Sequence, residues 1–167
     1  LPTLDWKVSN RTGKPHVRVY PEERERPVLL LVDQRQNMFF GSRLKMKSVV
    51  AAEVTALSAW RVLAVGDRVG ALVFNDSEVT EVKPHRSRNT VMQILKSVTV
   101  KNQALRADSP LRAVPGMLNH VLQQAARIAA HDHLVVVVSD FDGVDDDTRR
   151  HVLRLAEHND VVLLLVH

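Results

Sequence analysis

The segment PVLLLVDQRQNMFF (residues 27–40) decides how the rest of the chain is read. Its unbroken apolar run from Val28 to Val32 is bounded by Pro27 and by the acid Asp33. A short run of valine and leucine of this kind reads as a strand buried on both faces of a parallel sheet. Such a strand carries its last residue to the carboxyl edge of the sheet, where open α/β folds bind their ligands. Asp33 is therefore the first candidate site residue. The alternate positions after it, Arg35 and Asn37, are polar. In many α/β proteins those positions hold hydroxyls that help to bind a divalent cation. The segment reads as a metal site, an altered metal site, or a strand that ends in polar residues.

Working outward, LKMKSVVAAEVTALSAWRVLAV (44–65) is rich in Ala and Leu and apolar on more than one face, which predicts a long, well-buried helix. Gly66 suits its C-terminal cap. VGALVFND (69–76) is a second core strand, and Asn75-Asp76-Ser77 turns it into EVTEVK (78–83), whose alternation predicts an antiparallel edge. A helix is predicted over 87–97, capped by Ser87 or Asn89, and KNQALRADS then reads as a polar link. Ser109-Pro110 is a good start signal for a helix reaching Ala130. HLVVVVSD (133–140) is the most hydrophobic strand and again ends in an acid, Asp140. DDDTRRHVLRLAEH (145–158) is an amphipathic helix whose first-turn aspartates suit the helix dipole, and VVLLLV (161–166) is a last strand. The order predicts an α/β fold: a Rossmann-like, doubly wound, mostly parallel sheet with one antiparallel edge strand and helices on both faces. If the strands ending in Asp33 and Asp140 are neighbours, both carboxylates face one crevice.

A chain of 167 residues is one domain by length. Aromatic residues make up only 4%, so Val, Leu and Ala must fill the core. The absence of cysteine excludes disulfides and thiolate metal sites and suits a reducing compartment, hence an expected cytoplasmic location. No apolar run reaches the roughly 18 residues that span a bilayer. A formal charge of +4 permits an acidic partner, but the basic groups at Arg11/Lys14/Arg18, His85/Arg86/Arg88 and Arg149/Arg150 are separated by acids. Trp6, Tyr20 and Trp60 form no stacking platform, so no nucleic-acid partner is expected. The start at Leu1 and the ending VVLLLVH lead us to expect a piece of a longer protein. Residues 1–26 then form an N-terminal arm or strand from a preceding segment, and 27–167 form the domain, cut short at its C-terminal strand and helix.

With VDQRQNM after the first strand, this arrangement resembles the von Willebrand factor A domain. Three ordered motifs, DWKVSNRTG (5–13), EERERPVLLLVD (22–33) and GDRVGALVF (66–74), resemble more narrowly the bacterial family called domain of unknown function 58. Members usually show Asp-Trp-Lys/Arg with a nearby Arg-Thr, a short way upstream of a von Willebrand-like strand. The resemblance implies a further strand and helix after VVLLLVH. It also implies a non-enzymatic adaptor that partners a MoxR-type AAA+ ATPase and helps it act on client proteins, assembling complexes or inserting cofactors.

The resemblance also supplies a candidate site. The von Willebrand type uses Asp-x-Ser-x-Ser, a Thr on a second loop and an Asp on a third, setting oxygen ligands around Mg²⁺. Asp33 matches the first acid, Asp140 the last, and Ser109 the Thr; Arg35 and Asn37 fall on the two serines. Asn37 keeps a carbonyl oxygen, but a guanidinium has donors only and is always charged. Two carboxylates about 5 Å apart repel by about 3 kcal/mol at an effective dielectric of 20. Either a cation sits there or one acid takes up a proton. We expect Arg35 to be that cation, tethered and pairing with Asp33 or Asp140, in a degenerate metal-ion-dependent adhesion site that binds Mg²⁺ weakly or not at all. The other reading points Arg35 to solvent and leaves Asp33, Asn37, Ser109 and Asp140 to hold a metal.

SDFDGV (139–144) also resembles the nucleophile motif of haloacid-dehalogenase-type, Mg-dependent phosphohydrolases, with Asp140 attacking phosphorus and Asp142 as acid/base. That chemistry needs a downstream Thr or Ser, a Lys and an acidic pair, whereas no lysine follows Val144. His131/His133 and His151/His158 lack the helical spacing of a zinc site, and GSRLKMK lacks the Gly-Lys-Ser/Thr ending of a phosphate loop. No catalytic residue is expected.

Overall fold

The computed structural model describes residues 26–41, 44–108, 114 and 116–167. The DWKVSNRTG motif, almost all of the N-terminal arm and Ser109 lie outside the described residues. β1 (Val28–Asp33) is buried along its whole length, as its apolar run requires. It pairs in parallel with β2 (Val69–Phe74) on one side and β4 (Leu134–Ser139) on the other. β3 (Val79–His85) adds an antiparallel edge to β2, and β5 (Asp160–Leu165) extends the sheet in parallel beyond β4. The order β3-β2-β1-β4-β5 makes the doubly wound, mostly parallel sheet with one antiparallel edge that the element order implied.

Strand periodicity of two divides the core. Val28, Leu30 and Val32 face α1 (Lys47–Ala64) and α2 (Arg88–Ala104), where Ala51, Ala59, Val91 and Ile94 meet them. Leu29 and Leu31 face α3 (Gly116–Ile128) and α4 (Asp146–Ala156), where Leu118, Leu122 and Leu155 close the layer. Helices therefore cover both faces. The two sheet edges differ in character. β3 carries Glu81, Lys83 and Pro84 with a register irregularity opposite Val69–Ala71, the features that keep an edge from pairing further. Gly70 sits there because a Cβ would lie 2.7 Å from Val82 O and from Pro84 N.

Local signals place the helix ends. Gly66, at φ 88°, follows α1; its amide donates to Leu63 O and the Asp67 amide to Val62 O, the paired bonds of a Schellman cap. Ser87 Oγ accepts from the Thr90 amide at the start of α2. Asp145 and Thr148 form a reciprocal capping box on α4.

Three expectations change. α1 is less buried than its composition suggested: Leu57 is 74% exposed, and Ser48, Ala51, Thr55 and Ala59 are its buried positions. α2 runs to Ala104, past the predicted end at 97, because Val98 packs on the core and the buried Lys101 pairs with Glu78. Residues read as a polar link thus gain tertiary partners. The helix predicted from Pro110 begins at Gly116 among the described residues. Among those residues, no helix is long and apolar enough to cross a membrane.

Asp145 gives a test of the capping box. The Thr148 amide, then Asn119 and the Thr148 hydroxyl, hold its carboxyl below the ordinary carboxylate range. A depressed native pKa stabilises the fold above the unfolded value and loses that contribution as pH falls through the native one. Asp145→Ala should lower the melting temperature at neutral pH, and its gap to the parent should narrow as the pH falls through the carboxylate range. Thermal circular dichroism over a pH series measures both.

Candidate functional site

The register pairs Val32 with Val138, so Asp33 and the Ser139–Asp140 step emerge together at the carboxyl edge of adjacent strands. This is the crevice that the sequence predicted on condition that β1 and β4 were neighbours. Its floor is the Asp33 carboxylate, fully buried, and its first partner is Arg35, also fully buried. The guanidinium is bidentate: Nε donates to Oδ1 at 3.0 Å and Nη2 to Oδ2 at 2.7 Å. The Arg35 backbone amide adds a bond to Oδ1 at 2.9 Å, and Ser139 Oγ donates to Oδ2 at 2.6 Å. The Arg35 guanidinium also lies 5.9 Å from the Phe74 ring centroid. Burial works against its charge, but the hydrogen bond and attraction of Asp33, with lesser pulls from Asp140 and Asp76, outweigh it. The pKa is held above the ordinary guanidinium value.

Asp140 has a second cation. Lys47 Nζ reaches its Oδ2 at 3.2 Å, while Asn37 Nδ2 and the Asp142 amide donate to Oδ1 at 2.7 and 3.1 Å. Lys47 opens α1, where a positive charge faces the positive end of the helix dipole; the carboxylate of Asp140 offsets that. Asn37 turns its amide nitrogen, not its oxygen, to Asp140. Its Oδ1 is buried without a hydrogen-bond donor among the described residues. Asp142, exposed on the rim, is tied to the site through its backbone: its amide donates to Asp140, and its carbonyl accepts from Arg35 Nη2 at 3.4 Å.

Sequence reasoning placed Asp33, Arg35, Asn37 and Asp140 in one crevice, and the structure brings these four together. Ser109 falls outside the described residues. Lys47, Ser139, Gln34 and Asp76 were missed as site residues. Gln34 is buried and ties α1 to α2, donating to Ser48 O at 3.0 Å and accepting from Asn102 Nδ2 at 2.9 Å. Asp76 accepts from the backbone amides of Gln36 and Val114, fixing the loop after β1 to the hairpin turn. The signal for Lys47 was its place opening the first helix after an acid-ended strand. Among the described residues, no three His, Cys, Asp or Glu side chains converge into a metal-holding group.

Removing one partner of a buried pair strands the other. Arg35→Ala should cost about 3–5 kcal/mol of stability by leaving Asp33 charged and dry. Asp33→Asn/Arg35→Met should recover part of that loss, because no unpaired charge is left behind. Urea denaturation of the two variants beside the parent measures the difference.

Comparisons with known proteins agree with this architecture. An aerotolerance-related membrane protein from Bacteroides fragilis is similar in fold, with TM-score 0.58 and 13% identity over 83% of this chain and 66% of that one. Proximal thread matrix protein 1 of the mussel byssus gives TM-score 0.52 and 15% identity over 83% of this chain and 36% of that one. These likenesses carry the fold alone. Uncharacterized proteins of Mycobacterium bovis and Mycobacterium tuberculosis are 29% identical over 140 residues, 84% of this chain. The chain spans 42% of the length of those curated relatives. The family model described as "Protein of unknown function DUF58" matches residues 1–167. Matched from end to end, the chain belongs to the DUF58 family.

Proposed function

We propose that the domain is a non-enzymatic protein-interaction module whose docking face is the carboxyl-edge crevice, and that this face works without a metal ion. The buried Asp33–Arg35 pair carries the reading. A divalent cation needs free oxygen lone pairs around it. Here both Asp33 oxygens are taken by Arg35 and Ser139, and both Asp140 oxygens by Asn37, the Asp142 amide and Lys47. Two fixed positive charges already stand where the metal charge would be. Among the described residues Asn37 Oδ1 is the one buried side-chain oxygen left without a donor, and a single oxygen beside two cations does not fit Mg²⁺. The site is best read as a degenerate adhesion site rebuilt around Arg35, with Lys47 as a second tethered cation.

The partner is proposed from the family resemblance: a MoxR-type AAA+ ATPase, with the domain acting as its adaptor toward a client protein. The phosphohydrolase reading has little geometric support, since a nucleophilic Asp140 would have to give up Lys47, Asn37 and a backbone amide.

Calorimetric titration with Mg²⁺ and Mn²⁺ should give no micromolar binding to the parent. Arg35→Ser, which restores a hydroxyl beside Asp33, should bind more tightly than the parent. Micromolar binding by the parent, abolished by Asp33→Ala, would overturn the metal-free reading. Co-purification of the intact protein with an AAA+ ATPase tests the partner separately, and turnover of a generic phosphomonoester by the domain alone would sink the adaptor reading.

A further inference from the structure

We infer that the groove along the carboxyl edge takes an apolar, uncharged segment of a partner protein, and selects against acidic and basic ones. This rests on the interaction-module reading above and adds the chemistry of the partner. Two hollows of about 430 and 700 Å³ share Phe40 and Lys47 as walls and lie side by side, and we take them together as one groove. Leu44, 96% exposed, walls one end; Phe40, 60% exposed, stands where the hollows meet; Phe141 and Val144, the latter 51% exposed, wall the other end. Large apolar side chains this open, at both ends of one groove, mark a surface that gains by being covered.

The middle of the groove is polar yet carries no net charge. Arg35 cancels Asp33, and Lys47 cancels Asp140. On the wall of the first hollow, Lys45 is paired with Glu53 at 2.6 Å. Among the described residues, Asp142 is the remaining charge on the wall of the second hollow, and it stays in water on the rim. A partner carboxylate would have to shed its hydration at a centre where, among the described residues, both cations are already paired. A partner ammonium would shed its own beside Lys47 and find no free carboxylate below it. Either loses more than it gains. An apolar segment meets no such cost at the ends. Lys47 lies 5.7 Å from the Phe40 ring centroid and has donors beyond the one given to Asp140, enough to meet a neutral oxygen such as a backbone carbonyl.

The test places a photo-crosslinking amino acid at Leu44 and, separately, at Val144 of the intact protein in its native cells, and sequences the captured peptides. Both positions should capture the same segment, apolar at its ends and uncharged where it crosses Lys47. Its synthetic copy should bind with an affinity that changes by less than about twofold between 50 and 300 mM salt. Different peptides at the two positions, no capture at either, or a peptide of this polypeptide itself would overturn the inference. So would a segment with Asp, Glu, Lys or Arg over Lys47 whose affinity falls more than about tenfold across that range. An apolar segment from a protein other than an ATPase keeps the inference and removes the MoxR assignment. An ATPase that co-purifies but is captured at neither position does the reverse.

Discussion

A carboxylate buried at the end of a central strand must be neutralised inside the fold, and Arg35 is the group that does it for Asp33. Taking either ion out of water costs several kcal/mol, and only close, well-satisfied pairing recovers that. The pair meets the condition because both oxygens of Asp33 are filled and the same guanidinium spans them. Such a pair is weak evidence for stability. The pair also gathers its neighbours: Ser139 donates to the Asp33 carboxylate, and the Asp142 carbonyl accepts from the Arg35 guanidinium. The floor of the crevice is thereby set by a residue two positions from the acid it serves.

From that floor the electrostatics of the whole edge follow. With Asp33 answered from within, Asp140 is left to Lys47 at the start of α1 and to the amide of Asn37. The charges cancel in pairs at increasing height, from fully buried to partly exposed. A face assembled in this way presents apolar rings and aliphatic side chains around a neutral centre.

The fold was largely legible in the sequence. Apolar runs gave the four parallel strands, two of them ended by acids, and the Glu-, Lys- and Pro-bearing segment after Ser77 gave the antiparallel edge. Helix ends were visible wherever a single residue type does the work, as at Gly66 and Ser87. The extension of α2 was not visible, because Val98 and Lys101 are ordinary surface residues until β3 and the Glu78 carboxylate are brought beside them. The shallow burial of α1 was hidden for the same reason: an apolar residue such as Leu57 does not announce which side of a helix will face the core.

The candidate site divides in the same way. That Asp33 ends a buried strand, that Arg35 lacks an acceptor, and that two acids sharing a crevice need a cation or a proton are statements of residue type and order, and the sequence alone determined them. Which acid Arg35 would choose, that Lys47 would take the other, and that Asn37 would offer its nitrogen were decided only in three dimensions. Residues 47 and 140 meet because β1 and β4 are hydrogen-bonded neighbours and α1 starts above their shared edge. Local chemistry fixes which groups need partners, and long-range packing fixes which partners they find.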